Sequence, residues 1–134
     1  MTRGVRPPAT SAMAVRVLLL ALAVGCRDTD RMSELGAAET FAGHAERGRA
    51  LMRTYGCQTC HTIPGVVGAN AIVGPPLAGI AGRSYIGGVL PNTPENMLRW
   101  LQDPKAVDSL TAMPNVGVTP SDARHIAAYL YTLR

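Results

Sequence analysis

The chain has 134 residues, with thirteen Lys and Arg against nine Asp and Glu and a formal net charge of +4. That length holds one small domain, and its few aromatics (one Trp, four Tyr, one Phe) give such a domain little bulk for a core of its own. Arg3, Arg6 and Arg16 all precede the first apolar run, and the other ten basic residues against nine acids leave only +1, so the charge gives no warrant for nucleic-acid binding.

Residues 1–25 read as a secretory signal peptide. The first sixteen residues carry three arginines and no acid, and Met13 offers a second possible start. Val17 to Val24 is an apolar run of eight residues, too short to cross a bilayer and fitting the h-region of an export signal. Ala23-Val24-Gly25-Cys26 follows and resembles a bacterial lipoprotein box, which implies cleavage before Cys26 and acylation of its thiol. Ala23 departs from that pattern, which usually has Leu there. The alternative is ordinary cleavage nearby, leaving Cys26 as a free thiol. Residues 26–39 are small, polar and mixed in charge, and read as a flexible tether with a coil reach of roughly 20 Å. The domain is expected over residues 40–134.

A first helix is predicted over Thr40 to Tyr55. Phe41, Ala45, Gly48, Met52 and Tyr55 recur at three- and four-residue steps. Gly48 within that stripe implies that another backbone or ring crosses closely. Gly56 ends the helix, and Cys57-Gln58-Thr59-Cys60-His61 follows. Two thiols three apart with a histidine behind the second is the attachment pattern of a c-type haem. On one helical turn Cys57 and His61 share a face. A thioredoxin-like redox pair would need a βαβ context, a zinc site would need further ligands, and a plain disulfide would leave His61 without a role.

Residues 62–92 are rich in Gly and Pro and show no strand alternation; Pro76 to Arg83 has room for a helical turn. So long an irregular stretch is unusual unless the chain wraps a large flat cofactor. Thr93-Pro94-Glu95 opens a helix with a cap, a first-position proline and an acid, carrying Met97, Leu98, Trp100 and Leu101 and stopping by Pro104. Asp103 to Val118 reads as a loop. Thr119-Pro120-Ser121-Asp122 repeats the capping device and opens a last helix with Ala123, Ile126, Ala127, Leu130 and Leu133 on one stripe.

Of six methionines, Met1 and Met13 lie in the signal and Met32 in the tether. Met52 and Met97 sit on helices, where methionine fills cores. Met113 alone is in a loop of the domain and is the candidate second axial ligand beside His61. His44 and His125 read as polar surface residues.

From Gly48 to Arg134 the sequence resembles a class I monohaem cytochrome c. Gly48 and Leu51-Met52 sit where that family has its first-helix glycine and apolar pair. Val73-Gly74-Pro75-Pro76-Leu77-Ala78-Gly79 resembles the loop whose proline carbonyl, here Pro75, accepts the Nδ1 proton of the ligand histidine. Asn96 to Pro104, followed by Met113, has the family spacing to the axial methionine. Ile126-Ala127-Ala128-Tyr129-Leu130 resembles the last helix, whose aromatic packs beside the first-helix glycine. Trp100 stands where many relatives have a tyrosine over the haem, and a ring of lysines is absent, Lys105 being the only one.

The resemblance implies an all-α fold: three main helices, short helical turns and long loops wrapped around one covalent haem c. It implies iron held by His61 and Met113, with Cys57, Cys60, Pro75 and Trp100 completing the haem site. Two haem propionates would bring the mature charge to about neutral. The expected function is that of a one-electron carrier, not an enzyme. It would be tethered to the membrane through Cys26, on the outer face of the cytoplasmic membrane or in the periplasm. It would pass electrons from a quinol-oxidising complex to a terminal oxidase or reductase. The alternative is a fixed electron-entry haem subunit of a larger membrane oxidoreductase. A peroxidase or gas sensor with an open iron site is disfavoured by Met113.

Overall fold

The computed structural model describes residues 35–37 and 39–134. The expected signal peptide, most of the tether and Cys26 lie outside these residues. Among the described residues no helix is long and apolar enough to cross a membrane.

Ordered helical chain begins earlier than the tether boundary at residue 39. Residues 35–37 and 39–41 are helical, and Ala37 and Phe41 are buried. Phe41 anchors this stretch by meeting Tyr131 edge-on at 4.7 Å. The first predicted helix is broken where it was expected to start. Ala42 has a positive φ of 47°, Gly43 and His44 are non-helical, and α1 runs from Ala45–Thr54. The break has a tertiary cause. Gly43 lies against the Arg124 backbone, and the His44 N–H donates to His125 Nδ1 at 2.9 Å instead of joining a helical ladder.

After α1 come a 3₁₀ turn at Cys57–Thr59, another at Ile80–Gly82, and a short antiparallel hairpin of β1 (Tyr85–Ile86) and β2 (Leu90–Pro91). Helices α2 (Pro94–Gln102), α3 (Pro104–Val107) and α4 (Pro120–Leu130) complete the order. The hairpin was not visible as alternation because each strand has two residues. Its turn uses Gly87 and Gly88, both at positive φ.

The two Thr-Pro openings form as read. Thr93 Oγ1 accepts from the Asn96 N–H at 3.3 Å, and Thr119 Oγ1 from the Asp122 N–H at 3.2 Å. A third copy of the device lies in what was read as loop. The Asp103 side chain accepts from the Ala106 N–H at 3.1 Å with Pro104 at the first helical position, opening α3. Pro104 is fully buried, so it starts a helix as well as ending one.

The core is built where α1 crosses α4, with α2 also packed on α4. Ala45, Gly48 and Met52 are the buried face of α1. The expected partner of Gly48 was the Tyr129 ring. The structure corrects this: a Cβ on Gly48 would run into the His125 carbonyl and stand 3.0 Å from the Ile126 nitrogen. Backbone meets backbone there. Tyr129 reaches past the crossing, and its hydroxyl donates to the Pro64 carbonyl beyond the haem-type motif. With Arg49, which donates to the Gly65 carbonyl at 3.2 Å, it ties the start of the long loop to both helices.

The long loop is pinned by side chains more than by strands. The Asn92 amide donates to the Ile80 and Arg83 carbonyls at 2.9 and 2.8 Å and accepts from the Tyr131 hydroxyl at 2.7 Å.

His125 is buried, contrary to its reading as a surface residue, while His44 is exposed as expected. The polar position on α4 is turned inward because its Nδ1 has a use, the His44 N–H. The two imidazoles stack with centroids 5.6 Å apart. Accepting a proton donor at Nδ1 requires the neutral ring. Burial pushes the His125 pKa below its ordinary 6.5, with Arg47 and His44 acting in the same direction and Asp122 against them. The unfolded chain therefore takes up this proton at a higher pH than the folded chain does. Stability is full above about pH 6.5 and falls as the pH drops from there toward the lower folded pKa. Urea unfolding of the holoprotein should give a lower midpoint at pH 5.5 than at 7.5. His125→Asn, which keeps an acceptor but cannot titrate, should flatten that difference.

Candidate functional site

The site grows from the end of α1. Tyr55 is its C-cap, and Gly56 reverses the chain in the left-handed region with φ 73°. That reversal starts the turn that carries the motif. The His61 N–H donates to the Cys57 carbonyl at 3.0 Å, so Cys57 and His61 sit one helical turn apart. Cys57 and Cys60 are both half-buried free thiols, not a disulfide. Burial pushes the Cys57 thiol up, and the neighbouring Cys60 pushes the same way against a backbone hydrogen bond. A reactive Cys-X-X-Cys redox pair has its thiol lowered instead. Among the described residues no three His, Cys, Asp or Glu side chains gather as a metal-ion cage of the kind a zinc site needs.

His61 is fixed by the loop that follows. Its Nδ1 lies 2.7 Å from the Pro75 carbonyl oxygen. A carbonyl only accepts, so Nδ1 carries the proton and Nε2 keeps a free lone pair. Gly74 holds the loop in place, its N–H donating to the Cys60 carbonyl at 2.7 Å. A Cβ on Gly74 would stand 2.7 Å from His61 Nδ1 and closer still to the ring carbon beside it, so the imidazole rests directly on this backbone.

A largely apolar cavity of about 360 Å³ opens beside the motif. Cys57, Cys60, His61, Pro75, Trp100 and Met113 all line it, so the structure brings six expected site residues together; Cys26 is outside the described residues. Trp100 is buried, and its ring lies where a Gly87 side chain would be, with Cζ2 2.7 Å from a Cβ built there and the neighbouring ring carbon closer still. Met113 sits half-buried in the loop after α3, its N–H donating to Thr111 Oγ1 at 3.3 Å. Met52 and Met97 are buried on α1 and α2 and line the same cavity. Tyr55, Gly87 and Leu130 also line it and were not singled out as site residues. Glycine adjacent to glycine at 87–88 was the available signal for the hairpin that brings Gly87 under Trp100.

These residues fit a haem. The cavity is apolar, two free thiols stand at its edge, one nitrogen lone pair is oriented by a fixed tautomer, and a thioether lies on its lining.

A family model described as Cytochrome c matches residues 45–134. The chain is also similar to a cytochrome c oxidase subunit 2 from Alkalihalophilus pseudofirmus, 30% identical over 91 residues. That alignment covers 67% of this chain and 26% of the relative, so the chain spans about a quarter of the relative's length. No solved structure matches.

The Gly74 contact makes a direct test. Gly74→Ala should drive the His61 ring off the Pro75 carbonyl and sharply lower the yield of covalent haem in a pyridine haemochrome assay. Gly82→Ala, which adds its methyl to open space, should leave that yield unchanged.

Proposed function

The chain belongs to the cytochrome c family, and we propose that it is a membrane-tethered electron carrier on the outer side of the cytoplasmic membrane, with His61 and Met113 as axial ligands. Members carry covalently bound haem c and transfer electrons through it, and this chain does so as a carrier. The observation that carries the finer reading is the convergence of Cys57, Cys60, His61 and Met113 on one apolar cavity, with the His61 tautomer fixed at Pro75.

When bound, the haem supplies one iron that cycles between two oxidation states. Cys57 and Cys60 would hold the group by thioether bonds. Pro75 keeps the proton on Nδ1 of His61, so Nε2 keeps the lone pair that would hold the iron, and the hydrogen bond restrains the ring. Met113 would supply a soft sulfur ligand from the cavity lining, which would raise the reduction potential. Met52, Met97 and Trp100 keep water from the site, which raises it further. With both His61 and Met113 as ligands the iron would keep no open position for substrate, in keeping with a carrier.

The tether rests on the apolar run ending at Ala23-Val24-Gly25-Cys26. Acyl chains at Cys26 would contribute about 0.8 kcal/mol per buried methylene, enough for stable anchoring when several are present. The donor would be a quinol-oxidising complex and the acceptor a terminal oxidase or reductase. A second reading, a fixed electron-entry subunit of a larger oxidoreductase, draws support from the likeness to part of an oxidase subunit 2.

Met113→Ala should abolish the weak red absorption band of the ferric protein that marks sulfur on iron; an unchanged band would remove Met113 from the site. Mass spectrometry of protein purified from its host in mild detergent should give a chain starting at Cys26 with acyl groups and one haem. A constant companion at fixed stoichiometry in that preparation would favour the subunit reading over the free carrier.

A further inference from the structure

Tyr55 occupies a junction that the haem site does not explain. Its ring lines the cavity, two residues before Cys57. Its hydroxyl donates to Asp122 Oδ2 at 2.8 Å. The Tyr55 hydroxyl oxygen in turn accepts the Thr119 N–H at 3.5 Å. Thr119 is the N-cap of α4 and the last residue of the loop that carries Met113.

That loop is otherwise held by its own bonds. Asp108 accepts from the Leu110 and Thr111 N–H groups, Thr111 Oγ1 from Met113, and Asn115 from Gly117, while Lys105 of α3 donates to the Thr111 carbonyl. Among the described residues, the hydrogen bond from this loop to the Tyr55 hydroxyl is its one polar tie to the segment bearing Cys57 and His61. Asp122 is itself fixed on three sides: its N–H by Thr119 Oγ1, one carboxylate oxygen by Tyr55, and the other by Arg47 at 3.6 Å.

We propose that the Tyr55 hydroxyl is a latch that positions the Met113 loop against the haem-attachment segment, and so sets how tightly Met113 closes the iron site. The proposal rests on the reading of Met113 as the axial ligand. Tyr55 does not touch the iron; it acts through Asp122 and Thr119 on the end of the loop. A hydroxyl bonded to a carboxylate is among the stronger neutral-to-charged pairs. That bond fixes the Tyr55 oxygen against the first turn of α4, where the same hydroxyl oxygen holds the last residue of the Met113 loop.

The test is displacement of Met113 by imidazole in the ferric holoprotein, read from loss of the red band and a Soret shift. Tyr55→Phe keeps the ring on the cavity and removes only the tie. It should bind imidazole about tenfold more tightly than wild type, the scale of one hydrogen bond to a charged group. Asp122→Asn, which keeps an acceptor oxygen without the charge, should fall between the two. Tyr131→Phe is the control: it loses a hydroxyl bonded to Asn92 at 2.7 Å, away from the loop, and should bind imidazole as wild type does. Affinity in Tyr55→Phe and Asp122→Asn no greater than in Tyr131→Phe, with the band present in wild type, overturns the latch and leaves the Met113 assignment standing. Absence of the band in wild type overturns both.

Discussion

The approach of α1 to α4 at Gly48 sets the distances in this protein. With no side chain between them, the two helices meet through the backbone at His125 and Ile126. A larger residue would lever the helices apart, and interiors at crystal-like density do not absorb such a shift. Much else hangs from this crossing. The His44 N–H finds His125, Arg47 and Tyr55 find Asp122, and Tyr129 and Arg49 reach the loop behind the thiol motif. The crossing fixes where α1 ends, and hence where Gly56 turns the chain to present Cys57, Cys60 and His61.

A second constraint is the shortage of apolar mass. The described domain has one Trp, four Tyr and one Phe to fill its interior. Met52 and Met97, among its best-buried side chains, and the buried Trp100 border the cavity. A cofactor-sized apolar object completes this core, so attaching the haem and finishing the fold are coupled events.

The parts of this arrangement that depend on neighbours in sequence were legible. The thiol–histidine spacing, the glycine that ends α1 and the two Thr-Pro caps each follow from residues within a turn of one another. The parts that depend on distant backbone were not. The break at Ala42 to His44 is imposed by Arg124 and His125, eighty residues away in the chain. His125 looked like a surface residue because its partner is a backbone N–H, which leaves no mark in a pattern of side chains. Tyr129 was matched to Gly48 through the resemblance of the last helix to its family counterpart, yet its length carries it to Pro64. The start of α3 was missed for a different reason. Asp103-Pro104 is the same local signal as Thr93-Pro94, but Pro104 was read only as a stop.

Asn92 joins segments that share no secondary structure. Its amide holds both ends of the 3₁₀ turn at Ile80–Gly82, and its oxygen is held by Tyr131, just past α4. The Ala81 N–H adds a bond to the Leu133 carbonyl at 3.2 Å. The middle of the loop and the C-terminal turn therefore cannot open separately. Local unfolding of either exposes the same polar groups, so the two form one cooperative unit, and their amides should share a single exchange regime instead of fraying residue by residue. A chain that is irregular in secondary structure is in this way made to behave, thermodynamically, as a single piece.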